Sequence, residues 1–176
     1  MFCVFVSLVV LELGLGHCLH HFYIWDLKSK GIFSGDAAGM YYAHADQVHQ
    51  LRLCLPATTP VQFDPTAMAK TIQSMMALKP EKIYYTHFGQ TDQAQAMLDE
   101  VLGWIPLYGN RAADHYRENR DPKALSSFLY QEIMQELAQR GVHNSKGLAG
   151  LEFDCDLNAQ GVAAFVEFQE KKSSPA

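Results

Sequence analysis

The sequence predicts an α/β fold, with one sheet covered by helices and a helical C-terminal region after it. Three observations carry this reading. Runs of β-branched and aromatic residues, at His20 to Asp26, Ile32 to Ser34 and Lys82 to Thr86, alternate with stretches of helical periodicity. The chain opens on the apolar run MFCVFVSLVVLELGL. Asp64-Pro65 and Asp121-Pro122 each place an N-capping side chain before a proline at the first helical position.

In order along the chain, Met1 to Leu15 reads as a buried pair of strands rich in Val, Phe and Leu. A secretory segment fits it less well, because no Lys or Arg precedes the run, Glu12 interrupts it and no clean cleavage site follows. The run is also shorter than the roughly 20 apolar residues that span a bilayer. His20 to Asp26 and Ile32 to Ser34 form an antiparallel hairpin across the turn Lys28-Ser29-Lys30-Gly31. Residues 40–63, with Pro56 and Pro60, read as a long irregular loop. A helix runs from Asp64-Pro65 to about Leu78, with Met68, Ile72, Met75 and Met76 on one face. Lys79-Pro80 ends it, and Lys82 to Thr86 is a short strand that delivers His87 at its C-terminal end. Thr91 or Asp92 caps a helix to about Leu102, and Asn110 to Arg120 continues it or makes a separate turn. From Asp121-Pro122, Leu125, Phe128, Leu129, Ile133, Met134 and Leu137 recur at helical spacing. Asn144 to Gly150 is a link and Glu152-Phe153 is short and extended. Asp156 to Lys171 closes as a helix with Val162, Phe165 and Val166 inward, and Lys172 to Ala176 frays.

The composition narrows the function classes. A formal net charge of -5 with no basic block argues against nucleic acid as a partner. Four widely spaced cysteines with no CxxC pair favour free thiols in a reducing, cytoplasmic compartment. No membrane partner is expected.

Eight histidines prompt a search for metal ligands. Gly16-His17-Cys18-Leu19-His20-His21 is the dense cluster, and the four-residue spacing of His17 and His21 lets both face one cavity. Asp36 follows an apolar strand and is flanked by Gly35 and Ala37, so nothing bulky shields its carboxylate. His87 follows a strand and precedes Phe88-Gly89, at the sheet edge where α/β proteins gather their sites. Imidazole and carboxylate together suit zinc, iron and manganese.

The succession Gly16-His17, hairpin, Phe33-Ser34-Gly35-Asp36, Phe63-Asp64-Pro65, helix, Lys79-Pro80 and Tyr85-Thr86-His87-Phe88-Gly89 resembles the C-terminal half of the metallo-β-lactamase-fold hydrolases. The likeness runs from Gly16 to about Trp104, and Leu157-Asn158-Ala159-Gln160-Gly161 is similar to the tail of some members. It implies half of an αββα sandwich, one sheet with its covering helices, in a single domain over residues 1–176. Residues 1–109 would carry the sheet and a metal half-site, and residues 110–171 the helical region. It implies one or two divalent ions, zinc foremost and iron or manganese also suited. His17 would hold one ion, His87 the other, and Asp36, the catalytic carboxylate, would bridge them. His21 would line the pocket, with Tyr41, Tyr42 and His44 on the loop above. The activity implied is attack of metal-activated water on an ester, thioester, amide or phosphoester of a small-molecule substrate.

The chain departs from that family at one place. The HxHxDH motif of the family's first half is missing, for Met1 to Leu15 contains neither His nor Asp. An N-terminally incomplete domain with weak activity is therefore expected. The alternative is a non-catalytic scaffold that dimerises or pairs with a missing half, which leaves a homodimer open.

Overall fold

The computed structural model describes residues 9–18, 20–58, 62–87 and 89–173. Strands β1 (Val9–Leu13), β2 (Phe22–Asp26), β3 (Gly31–Gly35), β6 (Lys82–Tyr85) and β7 (Gln90–Thr91) form one sheet in the order β1-β2-β3-β6-β7. β1 to β3 are antiparallel neighbours, β3 and β6 are parallel, and β7 returns antiparallel to β6. The hairpin expected across residues 28–31 is present, pairing Ile24 with Phe33 and Trp25 with Ile32. Of the strand pair expected in Met1 to Leu15, β1 accounts for Val9–Leu13, and Met1 to Leu8 lie outside the described residues.

Alternation along these strands sorts the two faces of the sheet. Tyr23, Trp25, Ile32, Ser34, Ile83 and Tyr85 point inward and are buried. They join Met68, Ile72 and Met75 of helix α2 (Pro65–Ala77) and Met97, Leu98 and Val101 of α3 (Ala94–Pro106) in one core. The opposite face presents Leu13, Phe22 and Phe33, which are 73%, 54% and 47% exposed. Register pairs Leu13 with Phe22 and Phe33 with Tyr84, whose ring stacks on Phe33. The chain is thus a mixed α/β fold with an apolar sheet face that no described helix covers.

Of the irregular loop expected over residues 40–63, the first part is regular structure. It holds β4 (Met40–Tyr41), α1 (Ala43–His49) and β5 (Cys54–Leu55), and β4 pairs antiparallel with β5. Tyr41, Tyr42, Ala45, Leu53, Cys54 and Leu55 are all buried. Each element is too short for its periodicity to show in sequence, and core packing rather than local propensity forms them.

α2 starts as expected, with Asp64 Oδ1 accepting from the Ala67 N–H at 2.9 Å. α3 starts differently: Thr91 lies in β7, its hydroxyl accepts from the Gln93 N–H, and Gln93 holds the N-cap position without a side-chain capping bond. α3 then runs on without a break through a π-helical turn at Leu107–Ala112 into α4 (Ala113–Asn119). α5 (Pro122–Gln139) buries Leu125, Leu129, Ile133 and Leu137, with Phe128 and Met134 half-buried. α6 is one helix, Leu151–Ser173, so Glu152 and Phe153 are its first turn and not an extended stretch. Two acidic side chains in that turn, Glu152 and Asp154, favour helix at its positive end. Lys172 and Ser173 belong to α6, and the rest of the frayed tail lies outside the described residues.

No described helix is long and apolar enough to cross a membrane. Cys18, Cys54 and Cys155 are free thiols.

Candidate metal site at the ends of two parallel strands

Because β3 and β6 run parallel, their C-terminal ends meet at one edge of the sheet, and the residues that follow them are Asp36 and His87. A register shift between Phe33 and Gly35 bulges β3 just before Asp36. Such bulges re-aim the side chain that follows.

The third side chain comes from the turn before β2. Its position is fixed by α2: the Asp64 N–H donates to Gly16 O at 2.9 Å and Thr71 Oγ1 to Leu15 O at 2.8 Å. Gly16 has φ +112, and a Cβ there would lie 2.2 Å from Met68 N, so this turn seats against α2 only with glycine. His17 then reaches the strand ends. Its Nε2 stands 3.6 Å from Asp36 Oδ2, and His87 Nε2 stands 3.5 Å from Asp36 Oδ1.

These distances carry chemical information. They are too long for good N–H···O hydrogen bonds. Two donors held about 2.1 Å from one tetrahedral ion stand about 3.4 Å apart. Asp36 Oδ1 is buried and has no hydrogen-bond partner among the described residues, a costly state for a carboxylate oxygen unless a cation neutralises it. His17 Nδ1 lies 2.8 Å from Ala57 O. A carbonyl only accepts, so Nδ1 carries a proton and Nε2 is the nitrogen that faces Asp36. That backbone anchor is the common way a ligating histidine is oriented. The donor types, the two Asp36–histidine spacings and the bare Oδ1 suit divalent cations, but each histidine faces a different Asp36 oxygen, and the ligand atoms of His17, Asp36 and His87 do not all lie within 4.8 Å of one another. His17 and Asp36 are half-buried, whereas His87 is 55% exposed, which puts the open side of the site at β6.

His21 also lies here. Its ring meets that of His17 edge to face at 5.5 Å between centroids, and its Nε2 is 3.1 Å from Ser34 O. Gly35, at φ +54, leaves room for it, since a Cβ would sit 2.2 Å from His21 Nε2. Cys18 Sγ and a ring nitrogen of each of His17 and His21 lie within 4.8 Å of one another.

The aromatic and histidine neighbours expected on an overlying loop are placed otherwise. Tyr41 is buried in β4, where its hydroxyl donates to Asp46 Oδ2 at 2.9 Å and burial pushes its pKa up to about 12. Tyr42 is buried at the start of α1 and donates to Asp154 Oδ2 of α6. His44 is exposed on α1, its Nδ1 3.4 Å from Gln47 Oε1. The sequence reading passed over Asp154 altogether. It is buried, burial raises its pKa, and the Tyr42 hydroxyl and the nearby His87 pull the other way. Only α6 read as one unbroken helix from Leu151 would have turned Asp154 inward. A cleft of about 720 Å³ lies between α3 and α5 around Trp104, Glu132 and Arg140 and shares no residue with the histidine set.

No family model and no curated protein matches the sequence. Among solved structures, the chain is similar to an archaeal metallo-β-lactamase superfamily protein from Sulfolobus tokodaii. The TM-score is 0.42 and the identity 24%, over 54% of this chain and 32% of that one. The match thus spans about a third of that protein's length.

Proposed function

We propose that His17, Asp36 and His87 hold a divalent metal ion, zinc foremost, and that the chain belongs to a metal-dependent hydrolase acting on an ester, thioester, amide or phosphoester. The observation that carries the reading is the Asp36 carboxylate. It is flanked by two histidine nitrogens at 3.5 and 3.6 Å, with one oxygen buried and unbonded. Such an ion supplies Lewis acidity, which makes water nucleophilic at neutral pH. The protein residues do the rest: Ala57 O fixes the His17 tautomer, the β3 bulge aims Asp36, and His87 stands at the open side. Three protein ligands suffice for a catalytic ion with one position left open. Activity of this chain by itself is expected to be weak.

The test is metal content per chain by elemental analysis, for the wild type and for His17→Ala, Asp36→Ala and His87→Ala. Near-stoichiometric metal, lost in all three variants, supports the site. Wild-type protein that takes up no metal when zinc or iron is supplied removes it.

One observation favours a second reading, a scaffold that associates through its sheet. The face bearing Leu13, Phe22 and Phe33 is apolar and open, as in a sheet that packs against another layer. In that reading a second copy covers the face. Wild-type protein that sediments as a monomer at tens of micromolar would rule the homodimer out.

A further inference from the structure

We infer that Cys18 and His21 are ligands of the ion held by His17, so that this chain supplies a nitrogen–nitrogen–sulfur cradle from within five residues of sequence. The inference rests on the reading that His17 belongs to a metal site. It adds donors that neither the Asp36–His87 pairing nor the family resemblance assigns.

The first ground is proximity. The ligand atoms of His17, Cys18 and His21 lie within 4.8 Å of one another, and all three residues are half-buried. Sulfur and nitrogen donors around one zinc ion stand about 3.5 Å apart, so a side-chain shift of roughly an ångström closes the set. The second ground is orientation. His17 and His21 show the same arrangement: one ring nitrogen tied to a backbone carbonyl, Ala57 O or Ser34 O. A carbonyl accepts only, so each tied nitrogen carries a proton, and coordination would fall to the other nitrogen of each ring. Two imidazoles fixed this way beside a thiol are a ligand arrangement. The third ground is backbone. Gly16 and Gly35 both adopt positive φ, and the residue that a side chain at Gly35 would strike is His21. The fold therefore keeps clear the space His21 occupies.

The donor set selects the ion. Coordination replaces the Cys18 thiol proton, which passes to water, and the resulting thiolate favours zinc or cobalt over magnesium, calcium and manganese. Cys54 and Cys155 are buried elsewhere in the core, so they do not compete for it.

The experiment is cobalt titration of the full chain, followed by absorption, for the wild type, Cys18→Ser, His21→Ala, Asp36→Ala and His87→Ala. The expected wild-type result is a near-ultraviolet sulfur-to-cobalt charge-transfer band that saturates at one ion per chain. It should vanish in Cys18→Ser, and cobalt affinity should fall tenfold or more in Cys18→Ser and His21→Ala. A band that survives Asp36→Ala and His87→Ala but not Cys18→Ser supports this cradle while removing the Asp36–His87 site. Visible ligand-field absorption without any charge-transfer band overturns the role of Cys18 and leaves the earlier site standing. No cobalt bound overturns both. Alkylation of the wild-type protein, mapped by mass spectrometry, is independent of variant folding. Zinc should protect Cys18 at least tenfold, and equal labelling with and without zinc overturns the inference.

Discussion

Replacing Asn158 by alanine should lower Tm by about 8–16 °C and weaken metal binding at a site the residue does not touch. Asn158 is buried in α6 and reaches residues 56–58 of the neighbouring segment. Its Oδ1 accepts from the Thr58 N–H and from Thr58 Oγ1, each at 2.9 Å, and its Nδ2 donates to Pro56 O at 3.2 Å. Truncation leaves the Thr58 N–H and the Pro56 carbonyl buried without partners. At about 1–3 kcal/mol each, the two cost about 4 kcal/mol. For a domain of this size each kcal/mol moves Tm by about 2–4 °C. Thr58→Val removes only the hydroxyl and leaves the Thr58 N–H bonded to Asn158 Oδ1, so it should cost only about 1 kcal/mol. Between Pro56 and Thr58 lies Ala57, whose carbonyl fixes the His17 tautomer, and loosening this segment frees that ring. Thermal unfolding by circular dichroism and metal content of both variants are the assays. A fall in Tm below about 4 °C for Asn158→Ala, or one no larger than for Thr58→Val, would refute the reasoning.

Gly35→Ala should act locally and severely: αL backbone costs about 1–2 kcal/mol, and the new Cβ drives His21 from Ser34 O, so zinc affinity should drop, read by competition with a chelating dye. Asp154→Asn should change the pH dependence of stability. Burial raises the Asp154 pKa above its ordinary 3.8, so the folded form holds its proton longer than the unfolded one. Its contribution favours folding below the ordinary value and is lost as pH rises through the folded one. The variant should therefore gain stability relative to wild type on going from acid to neutral pH, and a constant difference in urea midpoint would contradict this. Phe33→Lys on the open sheet face should leave Tm within about 2 °C, because Phe33 is nearly half exposed, and should dissociate any dimer seen by ultracentrifugation.

What was legible in the sequence follows from where local rules are strong. The caps Asp64 and Asp121, each with proline behind it, located α2 and α5 because the signal is local and chemical. The hairpin β2–β3 was legible for the same reason. β4, α1 and β5 were not, since elements of two to seven residues depend on the core that surrounds them. At the site, His17, Asp36 and His87 stood out as donors next to small residues or strand ends. The sequence did not reveal their anchors. Ala57 O and Ser34 O are backbone atoms whose role has no residue signature, and Asp154 belongs to a turn that read as extended.

The parallel pairing of β3 with β6 also bears on the order in which the molecule assembles. β1, β2 and β3 follow one another in sequence and pair as neighbours, so their contacts are local and close quickly. β6 pairs with β3 only after the chain from Gly35 to Lys82 has looped back, and that closure carries the larger entropy cost. The turn bearing His17, Cys18 and His21 adjoins the early meander, whereas Asp36 and His87 meet only in the late step. A newly made chain would thus bring His17, Cys18, His21 and Asp36 together with the meander before His87 arrives with β6, with the open apolar face exposed throughout that interval.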